Sequence, residues 1–199
     1  MVTAMPFLLA LLCLLSPAAS QESKNRVDSL RYYYAGKSEF SEVFPRLQGT
    51  GYINDRPFFY YDSTNHKAEP LKPWCEAEGM VNWEKETQFQ KERENLFMET
   101  LGDILDYYND NNGFHVLQEA FGCELQNNKS SGAFWKLTYD GRNYLTFNTT
   151  ISAWVALDPA AQNTQEKWNE YANNAKKYLE EECPDTLRKY LSYNPSSLD

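Results

Sequence analysis

Histidine is scarce in this sequence. There are two, His66 in a polar loop and His115 at the start of a strand-like segment. No motif ties either one to a nucleophile or a second base, so the usual signatures of nucleophilic and acid–base catalysis are missing. There is no CxxC or HExxH spacing to hold a metal. The nine glycines never gather into a phosphate-cradling loop. Lysine and arginine total 19 against 28 acidic residues and form no long basic tract, and a net charge of −9 disfavours a nucleic-acid partner. Beyond the first residues, no apolar run approaches the roughly 20 residues needed to span a bilayer. The expected protein is neither an enzyme, nor a nucleic-acid binder, nor a membrane-spanning chain.

The one apolar run lies at residues 7–15, followed by Ala18 and Ser20 ahead of Gln21. Residues 1–20 read as a secretory signal peptide, and 21–199 as a secreted mature chain in the extracellular space. Secretion sets how the cysteines read. Cys13 leaves with the leader, and Cys75, Cys123 and Cys183 remain, an odd number in an oxidising compartment. A Cys123–Cys183 bridge would close a loop of about 60 residues and contribute roughly 4 kcal/mol through chain entropy. Cys75 is then left over and is expected as a small buried apolar residue rather than a reactive or intermolecular thiol. The sequons Asn128-Lys129-Ser130 and Asn148-Thr149-Thr150 suit N-glycosylation in that compartment.

What the chain has in abundance is aromatic side chains: 14 Tyr, 11 Phe and 5 Trp. Residues 29–35 (SLRYYYA) read as a strand. Segments 46–53 and 57–61 flank Asn54-Asp55 and read as a hairpin. From 83 to 108 the period changes: Phe97, Leu101, Ile104, Leu105 and Tyr108 fall on one helical face. Asn109 to Gly113 ends that helix. The plan then repeats. Residues 115–125 alternate, with Leu117, Phe121, Cys123 and Leu125 on one face. Segments 133–139 and 143–147 pair through Asp140-Gly141, and 152–156 adds a strand. Asp158 caps a second helix with Pro159 at its first position. That helix turns Trp168, Tyr171, Ala175, Tyr178 and Leu179 inward or toward the groove, and Pro184 breaks or restarts it. Two halves of this kind can share one antiparallel sheet with both helices on the same face, an α+β fold whose helices form a groove.

The motifs Ser29-Leu30-Arg31-Tyr32, Glu69-Pro70 with Pro73-Trp74, Trp83, Tyr107-Tyr108-Asn109, Gly122-Cys123-Glu124, Tyr139-Asp140-Gly141, Trp154 and Ala160-Ala161-Gln162 stand in that order. With them the chain resembles the α1–α2 platform of the MHC class I family, and its soluble, secreted branch in particular. The resemblance covers nearly all of 21–199. It implies an antigen-recognition platform of one antiparallel sheet topped by two long helices, and it implies that Cys123 and Cys183 are bridged. No immunoglobulin-like domain, which takes about 100 residues, follows Cys183 in this sequence, so the expected organisation is 1–20 signal peptide and 21–199 platform. The interval from Trp168 to Cys183 is a few residues shorter than the resemblance implies, so the second helix is expected to be shortened or kinked there.

The resemblance also frames the function. Peptide-presenting members hold peptide ends with positions matched here by Tyr32, Tyr107, Thr164, Lys167, Trp168, Tyr178 and Tyr190. Two further ring tyrosines are replaced by Asn82 and Phe121, at a cost of roughly 1–3 kcal/mol for each polar group left unpaired. Ordinary peptide presentation is therefore disfavoured. The secreted branch implies instead a groove for a small hydrophobic, fatty-acid-like ligand. Its implied contacts are Arg93, Trp168, Tyr171 and Tyr32, with the Arg93 guanidinium meeting a carboxylate or ether oxygens. A lipid-mobilising or signalling role would follow. The alternative is an immune interaction module that presents its helix tops to a cell-surface receptor over an unoccupied or peptide-binding groove. No cofactor is expected. Zinc, a weak possibility, would have to use scattered His and carboxylates, and no ligand is assigned.

Overall fold

The computed structural model describes residues 26–39, 46–76, 79–110 and 113–193; the leader expected at 1–20 lies outside them. Eight antiparallel strands form one sheet in the order β4-β3-β2-β1-β5-β6-β7-β8. The first half contributes β1 (Val27–Lys37), β2 (Leu47–Ile53), β3 (Arg56–Asp62) and β4 (Lys67–Pro70). The second contributes β5 (Val116–Gln126), β6 (Lys129–Tyr139), β7 (Arg142–Asn148) and β8 (Ala153–Ala156). β1 and β5 pair along eleven residues and join the halves, from Val27 opposite Gln126 to Lys37 opposite Val116.

The turns form where the side chains permit them. Asn54 and Asp55 both take positive φ, as do Asp140 and Gly141, which is the backbone that two-residue hairpins demand. Gly122 answers a different need. A Cβ there would sit inside van der Waals contact of the Leu30 carbonyl oxygen, so only glycine lets β5 lie this close to β1. The strand β4 was not expected from the sequence; it returns through a turn in which Asp62 Oδ1 accepts from the Thr64 and Asn65 amides.

Helix α1 (Trp83–Tyr108) has the bounds its periodicity predicts. Asn82 caps it by accepting from Lys85 N, and Asn109 ends it in the left-handed region at φ 50°. The second wall is segmented, as the short Trp168–Cys183 interval leads one to expect. A 3₁₀ turn (Pro159–Ala161), started by Asp158 accepting from Ala160 N, leads into α2 (Gln162–Asn169). After a break at Glu170 and Tyr171 come α3 (Ala172–Lys177), a π turn (Tyr178–Glu182) and α4 (Cys183–Ser192). Pro184 falls in the first turn of α4, where its missing N–H costs nothing.

The core is the sheet face beneath these helices. Leu30, Leu47, Leu117, Leu125, Leu137, Leu101, Ile104, Leu179 and Leu187 are all at most 1% exposed. Cys123 on β5 and Cys183 on α4 form a disulfide, with Cα atoms 6.0 Å apart. Cys75 departs from expectation: it is an exposed free thiol rather than a buried one, because the short 3₁₀ turn Trp74–Glu76 spends its inward position on Trp74.

Candidate functional site: the groove between the helices

The groove-facing side of α1 carries Glu86, Gln90 and Arg93 one helical turn apart, then Phe97, Thr100 and Leu101. Gln90 is 3% exposed and donates from Nε2 to Glu86 Oε1 at 2.8 Å. Its Oε1 has no hydrogen-bond partner among the described residues. Burial raises the Glu86 pKa, while Gln90 and Arg93 pull the other way.

The centre of the groove is an ion pair. Arg93 Nη1 donates to Glu119 Oε2 at 2.8 Å, and Trp135 Nε1 donates to Glu119 Oε1 at 2.6 Å. The Glu119 side chain is 2% exposed and that of Arg93 24%. The guanidinium lies 4.6 Å from the centroid of Phe121, 4.9 Å from Tyr34 and 5.8 Å from Trp135, an arrangement that favours a cation over π faces. Burial alone would lower the Arg93 pKa; Glu119 and the neighbouring tyrosines outweigh it, and the net shift is upward. The side chain therefore stays charged in a semi-enclosed site.

Glu119 was not anticipated as a site residue. Leu117, Phe121, Cys123 and Leu125 mark one face of β5, and Glu119 occupies the position between the first two. Strand alternation puts Glu119 on that same inward face. A lone carboxylate in an apolar stripe was the signal available.

Aromatic rings surround the pair. Tyr32 stacks on Phe121 at 5.0 Å and Phe121 on Trp135 at 4.6 Å, with Tyr178 edge-on to both. Burial pushes the phenols of Tyr32, Tyr34 and Tyr178 well up, so all three stay neutral. Trp168 on α2 meets Trp154 edge-to-face at 4.7 Å, and Trp154 meets Trp135 at 5.4 Å.

The structure thus brings Arg93 and Trp168 to one cavity and leaves Tyr32 outside its lining, stacked on Phe121. That cavity is also lined by Leu96, Phe97, Thr100, Leu117, Glu119 and Leu137, and its volume is only about 10 Å³, room for one water at most. Tyr171 is not part of it. Expected inward, it is 64% exposed, because it sits at the break between α2 and α3, where its amide bonds to Trp168 O.

A larger hollow of about 510 Å³ opens between the C-terminal half of α1 and α2, lined by Asp103, Asp106, Tyr107, Asn163, Glu166, Lys167 and Glu170. Lys167 Nζ spans it to reach Asp103 at 3.0 Å and Glu99 at 3.5 Å. Thr164 is buried and shares a 2.7 Å hydrogen bond with the Tyr144 hydroxyl. Both residues thus have partners within the protein.

The sequon asparagines are both exposed. Asn128 sits in the β5–β6 turn at φ 64°, and Asn148 closes β7, its Oδ1 accepting from Thr150 N at 2.9 Å. Among the described residues no group of three or more His, Cys, Asp or Glu could hold a metal ion, and no helix is long and apolar enough to cross a membrane.

Comparison with known proteins accords with this architecture. Residues 26–198 match the family model for the class I histocompatibility antigen, domains alpha 1 and 2. The chain is 55% identical over 197 residues to zinc-alpha-2-glycoprotein of Bos taurus, covering 98% of this chain and 66% of that protein. It is 54% identical over 202 residues to the Homo sapiens zinc-alpha-2-glycoprotein, covering 100% and 68%. The H-2 class I histocompatibility antigen K-D alpha chain of Mus musculus is 36% identical over 201 residues, covering 94% and 53%. The chain thus spans about two thirds of the length of the zinc-alpha-2-glycoproteins it matches. The platform fold, the bridged cysteines, the family match and the identity over nearly every residue lead to one assignment: the chain belongs to the MHC class I family as an α1–α2 platform, with zinc-alpha-2-glycoproteins among its relatives.

Proposed function

We propose that this protein is a secreted, class I-like glycoprotein whose groove takes a small, thin apolar ligand, with a lipid-mobilising or signalling role. The observation that carries this reading is the composition of the cavity wall. Leu96, Phe97, Leu117, Leu137 and Trp168 surround the Arg93–Glu119 pair and Thr100, the apolar lining with few placed polar groups that small-molecule sites use. At about 10 Å³ the cavity is too small for a chain-like ligand, so a ligand has to displace side chains. The wall offers a place for that movement. Trp168 is only half-buried and stands in the last turn of α2, two residues before the break begins at Glu170. Secretion with a leader at 1–20, a platform over 21–199, and glycans on Asn128 and Asn148 complete the proposal.

The test is native mass spectrometry of the secreted chain together with titration by a fluorescent long-chain probe. Saturable binding that Trp168→Ala or Arg93→Ala weakens is the expected result. Folded protein that binds no probe refutes it. The small closed cavity favours a second reading, an interaction module that presents its helix tops to a cell-surface receptor. Receptor capture that survives Trp168 substitution, with no ligand in the groove, is the outcome that selects it.

A further inference from the structure

We infer that Glu119 sets the charge of what the groove accepts and makes it a site for uncharged chain-like ligands, such as long-chain esters or alcohols, that excludes free carboxylates. The inference rests on the groove being a ligand site, as proposed above.

Arg93 is the one cation lining the central cavity among the described residues, and its charge is already matched by Glu119 at 2.8 Å. A ligand carboxylate that took Arg93 for itself would leave Glu119, 2% exposed, holding only the bond from Trp135. One that joined without displacing Glu119 would place a second negative charge within a few ångströms of the first, in a site walled by Phe121, Trp135 and Trp168. Like charges so placed repel strongly when water is excluded. The remaining route for an anion is Lys167 at the neighbouring hollow. It is held by Asp103 and Glu99 and stands among Asp106, Glu166 and Glu170.

An ester carbonyl or a hydroxyl meets no such obstacle. A guanidinium carries five N–H donors, and Glu119 takes one of them in the structure. An uncharged oxygen can accept from another while the ion pair stays intact. The cavity therefore discriminates by head-group charge, with its aromatic and aliphatic walls indifferent to the difference.

The experiment uses the full, oxidised chain at neutral pH and two probes of one chain length, a pyrene-labelled fatty acid and its methyl ester. The wild type is expected to bind the ester at least about tenfold more tightly than the acid. Glu119→Gln, which keeps the shape and removes the charge, is expected to tighten the acid by a similar factor and leave the ester unchanged. Equal affinities in the wild type, a preference for the acid, or a ratio that Glu119→Gln does not alter each overturn the inference while leaving the groove reading standing. Saturable binding of neither probe refutes the groove reading and takes this inference with it. If Glu119→Gln does not melt cooperatively, the wild-type pH profile decides. Acid affinity should climb toward that of the ester as pH falls through the fatty acid's own ionisation, and a flat profile overturns the inference.

Discussion

Removing one partner of the Arg93–Glu119 pair should cost far more than removing both. Arg93→Met leaves Glu119 buried with a single hydrogen bond, from Trp135 Nε1. Breaking a buried pair in this way costs about 3–5 kcal/mol, and the partial exposure of Arg93 argues for the lower end, about 3 kcal/mol. Loss of the guanidinium from above Tyr34 and Phe121 is included in that figure, at roughly 0.5–1 kcal/mol. Glu119→Leu is milder, about 2 kcal/mol, because the orphaned guanidinium can turn its 24% exposed side chain further toward water. The double variant leaves no charge unpaired, fills the space with apolar volume and strands only the half-buried Trp135 N–H, so it should lie within about 1 kcal/mol of the wild type. The two single effects would then sum to about 5 kcal/mol against about 1 for the pair, a coupling of about 4 kcal/mol. Urea unfolding of the oxidised chain, followed together by tryptophan fluorescence and far-UV circular dichroism, measures it, provided the two probes give coincident transitions. A cost under about 1 kcal/mol for Arg93→Met, or single effects that simply add, would refute the argument that the pair is buried and mutually dependent.

Three further outcomes follow from the same structure. Replacing Cys123 and Cys183 together by alanine should cost about 4 kcal/mol, since the bridge closes a 60-residue separation, and differential scanning calorimetry with and without reductant reads it. Gly122→Ala should destabilise by about 2–3 kcal/mol, because its methyl meets the Leu30 carbonyl across the β1–β5 joint; a melting temperature equal to that of wild type would contradict this. His115, 13% exposed, faces Asp140 at 2.8 Å and Asp110 at 3.3 Å, and its pKa is raised, first by the hydrogen bond to Asp140. A raised pKa means that the protonated ring's stabilisation is fully present below the unfolded value near 6.5 and is lost as pH rises through the folded value. Stability of His115→Gln relative to wild type, measured from pH 5 to 9, should therefore show its largest deficit at the acid end; a deficit that grows with pH would exclude the charged pair.

Much of the fold is legible in local sequence because its signals are local. The bounds of α1 follow from Asn82, the helical period of Phe97, Leu101 and Ile104, and the left-handed Asn109. The hairpins follow from Asn54-Asp55 and Asp140-Gly141, whose positive φ needs nothing beyond those residues. The family resemblance supplied the cysteine pairing. The site was less legible. Arg93 and Glu119 are 26 residues apart on different elements; the inward carboxylate shows in the alternation of β5, but nothing near either residue announces that it will meet a helix's arginine. The exposure of Tyr171 and Cys75 depends on where the second wall breaks and on which way a three-residue turn faces.

The sequence by itself determined most of the platform: seven of its eight strands, its first helix and its hairpin turns, each specified by backbone preferences and by periods of two or 3.6 residues. Only the tertiary structure decided the state of the groove. Whether two walls leave a channel or close on each other depends on how side chains from α1, β5, β6 and α2 fill a shared volume, a sum over contacts between segments far apart in the chain. Here that sum leaves about 10 Å³ beside Arg93 and gives the arginine a carboxylate of its own.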